Sequence, residues 1–204
     1  MEKTLIISPH ADDCLLGAYS FMKKGNILVC SIDEGVCPED RKHRLKIDEK
    51  VIETSKSIGE FSFIKDTYVN ELYLEKYWLV RHIEAAINKD KPDVILIPHP
   101  SYNQDHQVVF DSCMIALRPH DTNHFVPKVI VYNPYDYTNW GRQMNMNYFR
   151  EVDINKKLAA YKKMRSQVRP YRSPEDLKRW AECVGKMCKV KYAEGFKVIR
   201  WLHQ

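Results

Sequence analysis

Two short apolar runs in this chain end in the same way. Thr4-Leu5-Ile6-Ile7 runs straight into Ser8-Pro9-His10-Ala11-Asp12-Asp13. Val94-Ile95-Leu96-Ile97 runs into Pro98-His99-Pro100-Ser101-Tyr102-Asn103-Gln104-Asp105-His106. An unbroken apolar run of four or five residues reads as a strand covered on both faces. Imidazoles and carboxylates placed just past such strands fall in the crevice where open α/β sheets bind ligands. The pattern constrains fold and site together. It asks for a mostly parallel sheet whose first and fourth strands are neighbours, with one metal site assembled from both polar clusters.

The remaining sequence alternates in the manner of βαβ units. The spacing predicts strands at Thr4–Ser8, 26–32, 61–65, 93–98 and Lys128–Tyr132. It predicts helices at 13–24, 41–58, 74–89, 105–117, 155–166 and 174–189, the last with Ser173 as N-cap and Pro174 in its first turn. The fold class expected is α/β, a Rossmann-like three-layer sandwich with a mostly parallel sheet in the order 3-2-1-4-5 and a helical C-terminal segment. A single domain over residues 1–204 is expected, without internal repeat.

Composition narrows the function classes. At 44% hydrophobic over 204 residues the chain can bury a sizeable core. No apolar run approaches the ~20 residues of a membrane-spanning helix, and the N-terminus lacks the pattern of a secretory signal. A cytoplasmic protein that is not integral to a membrane is expected. Cys14, Cys30, Cys37, Cys113, Cys183 and Cys188 form no C-x-x-C pair, so they read as reduced thiols. Residues 154–204 hold 14 Lys and Arg against 4 Asp and Glu, whereas the first 153 residues hold 18 against 23. That basic third reads as solvated helix faces. No nucleic-acid motif accompanies it, so no nucleic-acid partner is expected. The oligomeric state stays open between monomer and homo-oligomer.

The clusters permit a specific chemistry. His10 and Asp13 lie at a strand-to-helix turn, and His106 opens the helix after the fourth strand. Two histidines and a carboxylate with an open position form a recurring catalytic zinc arrangement, one that also accepts Fe(II). Asp12, beside Asp13, is placed to take a proton from a metal-activated water. Each residue also has a plainer role available: Asp13 and Asp105 are both suited to capping their helices, and Cys14 to facing the core. Arg44 or Arg41 is a candidate clamp for a sugar hydroxyl or phosphate. Tyr102 and Trp140 are candidate substrate contacts, and residues 133–148 a candidate lid carrying Tyr135, Tyr137 and Thr138.

These motifs resemble those of the PIG-L/LmbE-like family of zinc-dependent de-N-acetylases. Pro9-His10-Ala11-Asp12-Asp13 resembles the family's His-Pro-Asp-Asp stretch, and Asn103-Gln104-Asp105-His106 its Asp-His signature. Ile32-Asp33-Glu34-Gly35, Lys91-Pro92-Asp93-Val94, Lys157-Leu158-Ala159-Ala160-Tyr161 with Ser166-Gln167, and Tyr192-Ala193-Glu194-Gly195-Phe196 extend the likeness over nearly the whole chain. The resemblance implies that His10, Asp13 and His106 hold zinc and that Asp12 is the general base, with Asp105 and Asn103 in the catalytic group. It implies a small amino-sugar substrate of the N-acetylglucosamine type, or its conjugate, that loses acetate; the alternatives are another N-acyl substrate, formyl or non-sugar, and a non-catalytic Rossmann-like binding module. The sequence departs from the family at Ala11, in place of proline, and at Asn103, where many members carry histidine. Asparagine donates a hydrogen bond but gives up no proton, which moves protonation of the leaving amine onto Asp12.

Overall fold

The computed structural model describes residues 2–30, 60–63, 72, 76–119, 122–134 and 144–203. Among these, seven strands form one sheet in the order β3-β2-β1-β4-β5-β7-β6. The strands are β1 (Thr4–Ser8), β2 (Gly25–Val29), β3 (Glu60–Phe63), β4 (Val94–Pro98), β5 (Lys128–Tyr132), β6 (Tyr148–Glu151) and β7 (Ala193–Trp201). The first five are parallel, and β7 and β6 close the edge antiparallel. The helices are α1 (Asp13–Ala18), α2 (Lys76–Asp90), α3 (Gln104–Ala116), α4 (Ile154–Lys163) and α5 (Pro174–Met187).

The strand faces divide the core. Ile6, Leu96 and Ile130 point to one side and pack with Cys14 and Leu15 of α1, Tyr161 of α4, and Leu177 and Ala181 of α5. Leu5, Ile7, Ile95, Ile97 and Val129 point to the other. There they meet Leu79, Ile83 and Ile87 of α2 and Val108, Val109 and Cys113 of α3. Alternate residues of a strand face opposite ways, so a run apolar at every position needs helices on both sides. This is the three-layer sandwich that the sequence predicts.

Helix ends follow local chemistry. The apolar stripe of α2 recurs every fourth residue, and the helix stops where Lys91 turns left-handed (φ 44°) ahead of Pro92. Helix α5 opens with a full capping box, Ser173 and Asp176 bonding each other's backbone amides, with Pro174 in the first turn. The helix expected over 13–24 is instead α1 followed by a 3-10 turn, Tyr19–Lys24. The cause is a pair of distant side chains. Lys157 Nζ takes the Leu16 carbonyl at 2.6 Å, and Glu194 accepts the amides of Tyr19 and Ser20 at 3.1 and 2.8 Å. The groups that would continue the α-helical ladder are thus bonded elsewhere.

The C-terminal segment is not wholly helical, since β6 and β7 lie within or beside it. The expected helix at 41–58 falls outside the described residues, as do Cys37, Arg41, Arg44, Tyr135, Tyr137, Thr138 and Trp140. No helix among the described residues is long and apolar enough to cross a membrane.

Candidate metal centre

The chain runs from β1 outward to β2 and β3, then returns to β4 on the other side of β1, so strand order reverses between β1 and β4. Their parallel register pairs Thr4 with Val94 and Ile6 with Leu96. Both polar clusters therefore leave the sheet at the same edge and side by side. Ser8 shapes the first turn: its hydroxyl donates to the His10 carbonyl at 2.5 Å and accepts the Cys14 amide at 3.1 Å. The His10 amide in turn donates to Asp13 Oδ2 at 2.9 Å.

None of Asp12, Asp13 and Asp105 serves its helix as a side-chain cap. Asp12 occupies the N-cap position of α1, yet its side chain makes no capping bond. At α3 the cap is Asn103, whose Oδ1 accepts the Asp105 amide at 2.9 Å. The carboxylates are turned to other partners. Asp13 Oδ2 lies 3.2 Å from His10 Nδ1 and 3.2 Å from His106 Nε2. One ligand atom from each of His10, Asp13 and His106 falls within 4.8 Å of the others. Ligands about 2.1 Å from a tetrahedral zinc stand about 3.4 Å apart, so the donor set fits such an ion.

The outer ring nitrogens are held as well. His10 Nε2 sits 3.0 Å from Asp105 Oδ2, and His106 Nδ1 sits 3.2 Å from the Ser101 hydroxyl. A neutral histidine that donates outward presents a lone pair inward. Both imidazoles can thus face Asp13 as ligands. Ser101 is fixed by accepting the Asn103 amide at 3.1 Å. The residues are deeply set: Asp12, Asp13, Asp105 and His106 are buried.

Burial alone would lower the pKa of His10. Hydrogen bonds to Asp105 and Asp13, with the charge of both carboxylates, outweigh it and hold the ring well above the ordinary histidine value. Burial works against ionisation of Asp13, but the charge of His106 and the hydrogen bond to His10 hold its carboxyl far below the ordinary range. Burial pushes the Cys14 thiol up to about 12, so it stays protonated and belongs to the core.

Of the residues singled out by sequence, the structure brings His10, Asp13 and His106 together and places Asp105 behind His10. Asn103 caps α3, and Tyr102 is exposed. His99 is buried at the end of β4, its amide donating to the Tyr132 carbonyl at 2.8 Å. Sequence reasoning missed Ser101 and Arg172. Arg172 Nη2 lies 3.3 Å from Asp12 Oδ2, a contact spanning 160 residues that no local pattern announces.

No protein-family model matches this chain, and no curated protein does. Several solved structures are similar to it. The N,N'-diacetylchitobiose deacetylase of Pyrococcus horikoshii matches with a TM-score of 0.76 at 19% identity, covering 98% of this chain and 84% of that one. GalB, the 4-carboxy-2-hydroxymuconate hydratase of Pseudomonas putida KT2440, matches with a TM-score of 0.74 at 16% identity, covering 100% and 98%. The A40926 pseudoaglycone deacetylase Dbv21 matches with a TM-score of 0.68 at 17% identity, covering 98% of each chain. The chain has the fold that these two deacetylases and this hydratase share.

Proposed function

We propose that this chain is a zinc-dependent hydrolase that removes an N-acetyl group from an amino sugar or its conjugate. The observation that carries the reading is the convergence of His10, Asp13 and His106 at the switch point of the sheet, on a fold shared with a diacetylchitobiose deacetylase and a pseudoaglycone deacetylase. Zinc, when bound, lowers the pKa of a coordinated water and polarises the acyl carbonyl. The chain's own residues do the rest. His10, Asp13 and His106 would hold the ion, the two rings through the nitrogens that face Asp13. Asp105 orients His10, and Ser101 orients His106.

Asp12 takes the proton of the attacking water and returns it to the departing amine. Asn103 supplies a hydrogen-bond donor but no proton, so both transfers fall to Asp12. Tyr102 is the described candidate for packing on the sugar, with Arg44 and Trp140 as further candidates. The donor set also accepts Fe(II). Free Cys14, Cys30, Cys113, Cys183 and Cys188 fit a reducing compartment, which supports a cytoplasmic location.

The test is acetate release from N-acetylglucosamine and N,N'-diacetylchitobiose by the zinc-loaded protein. Asp12→Asn is expected to lower kcat by at least about 100-fold with zinc retained, and His106→Ala to lose zinc and activity together. Turnover that survives Asp12→Asn rejects Asp12 as the base. A second reading is favoured by the likeness to a hydratase: water added to a carbon–carbon double bond at the same residues. It predicts no acetate from either sugar and loss of ultraviolet absorbance from an unsaturated dicarboxylate. Amine release from N-formyl sugars with none from N-acetyl sugars would keep the hydrolase and change the acyl group.

A further inference from the structure

Asp12 is held from the far end of the chain. The Arg172 and Asp12 side chains that meet at 3.3 Å are only 13% and 5% exposed. The same Nη2 donates to the Gln167 carbonyl and to Gln167 Oε1, both at 3.2 Å. The hydroxyl of Tyr161, a fully buried residue of α4, lies 2.6 Å from the Gln167 carbonyl and 2.8 Å from the Arg172 carbonyl. Arg169 and Arg172 close the segment between them with a β-bridge. Tyr161 thus pins both ends of a short loop, and the loop aims one guanidinium at one carboxylate.

The arrangement costs stability. Arg172 Nε is buried and has no hydrogen-bond partner among the described residues. A desolvated donor left without a partner is unfavourable, and an apolar side chain of similar size would fill the space without it. Packing alone gives no reason for a guanidinium here. The ion pair with Asp12 gives one, because a carboxylate that must meet a water in a fixed direction needs its rotation restricted.

We infer that Arg172 is a positioning residue that fixes the orientation of Asp12, and that Tyr161 and Gln167 in turn fix Arg172. The inference rests on the reading of Asp12 as the base. It also gives Tyr161 and Gln167 of the C-terminal motif a role: they reach the site through Arg172.

The experiment compares zinc-loaded wild type with Arg172→Gln, Arg172→Lys and Tyr161→Phe, using N-acetylglucosamine as probe and crystal structures of each. Arg172→Gln is expected to lower kcat about 10- to 100-fold with KM within about twofold, at unchanged zinc content. Arg172→Lys, which keeps the charge but not the planar fork, recovers part of the loss. Tyr161→Phe loses less than Arg172→Gln. In the crystal the Asp12 carboxylate rotates away in Arg172→Gln while His10, Asp13 and His106 stay in place. An unmoved Asp12 in that variant, or an unchanged kcat, overturns the inference. If wild type releases no acetate, the deacetylase reading fails, and the orientation of Asp12 in the crystals still decides this one. If Arg172→Gln does not fold, Arg172→Lys and Tyr161→Phe are read by the same two measurements.

Discussion

Lys157 and Glu194 form a buried ion pair at 2.7 Å, with side chains 6% and 4% exposed. Three elements depend on it: Lys157 stands on α4, Glu194 on β7, and their other partners are the Leu16 carbonyl and the amides of Tyr19 and Ser20 at the end of α1. Such a pair contributes little net stability, because desolvation offsets the attraction, but breaking it leaves an uncompensated charge at a cost of about 3–5 kcal/mol. Lys157→Met is expected near the lower end, since Glu194 keeps its two amide donors. Glu194→Ala belongs at the upper end, because it strands an ammonium and two amides. For a chain of this size the losses correspond to about 6–20 °C in Tm. Lys157→Met combined with Glu194→Ala removes both charges, so it should cost clearly less than the two single changes summed. Urea unfolding followed by tryptophan fluorescence measures all of these. Single variants that lose less than about 1 kcal/mol, or additive losses in the double variant, would refute the claim that the pair is mutually dependent.

Other perturbations test separate parts of the fold. A Cβ on Gly17 would collide with the Asn133 carbonyl oxygen and the Tyr132 ring, so Gly17→Ala must shift α1 from the end of β5. A loss of about 1–3 kcal/mol is expected in thermal melts, with weaker zinc binding by titration because α1 carries Asp13. Ser173→Ala removes the cap of α5 and should cost about 1 kcal/mol at pH 7. Hydrogen bonds from Ser173 hold the Asp176 carboxyl below its ordinary value. That contribution is therefore present above the unfolded carboxylate pKa and is lost as pH falls through the lowered folded value. Circular-dichroism melts should show wild type and Ser173→Ala converging on acidification. Among the described cysteines, exposed Cys183 should be alkylated first, while buried Cys14 reacts only on unfolding, as peptide mass spectrometry would report.

The order β3-β2-β1-β4-β5 was legible because β1, β2, β4 and β5 are each built on an unbroken apolar run and β3 on the aromatic pair Phe61 and Phe63, and the reversal point follows from the order. Strands β6 and β7 were not. Tyr148-Phe149-Arg150-Glu151 mixes aromatic and charged residues, and β7 changes from buried at Ala193 to half-exposed beyond Phe196. Antiparallel strands with one wet face carry a weak apolar signal. The candidate ligand group was legible because His10 and Asp13 lie at the turn after β1 and His106 in the first turn of the helix after β4. What holds them was not. The break in α1 at Tyr19 and the grip on Asp12 both depend on side chains more than 140 residues away. Local spacing carries no trace of either.

Charge balance at the centre makes metal removal its sharpest test. Asp12, Asp13 and Asp105 are 4%, 3% and 0% exposed, and they face the Arg172 guanidinium and two imidazoles. With both rings neutral the group carries an excess of two negative charges, which a divalent cation cancels. Without the cation, a proton on His10 is the available substitute, which is why that ring is held above its ordinary value. The sign follows from the raised folded pKa. Protonation of His10 stabilises the metal-free protein fully below the unfolded histidine pKa, and that help is lost as pH rises through the folded value. Zinc binding displaces the same proton and so strengthens as pH rises. The gap in Tm between zinc-loaded and EDTA-treated protein should therefore widen from pH 6 to pH 8. Zinc at a thousand times its Kd adds about 4 kcal/mol, or about 8–16 °C, and His106→Ala should abolish the increment. A gap that narrows with rising pH would mean that proton and metal do not compete for His10. Equal melting with and without zinc at pH 8 would mean that these carboxylates are not gathered around a cation at all.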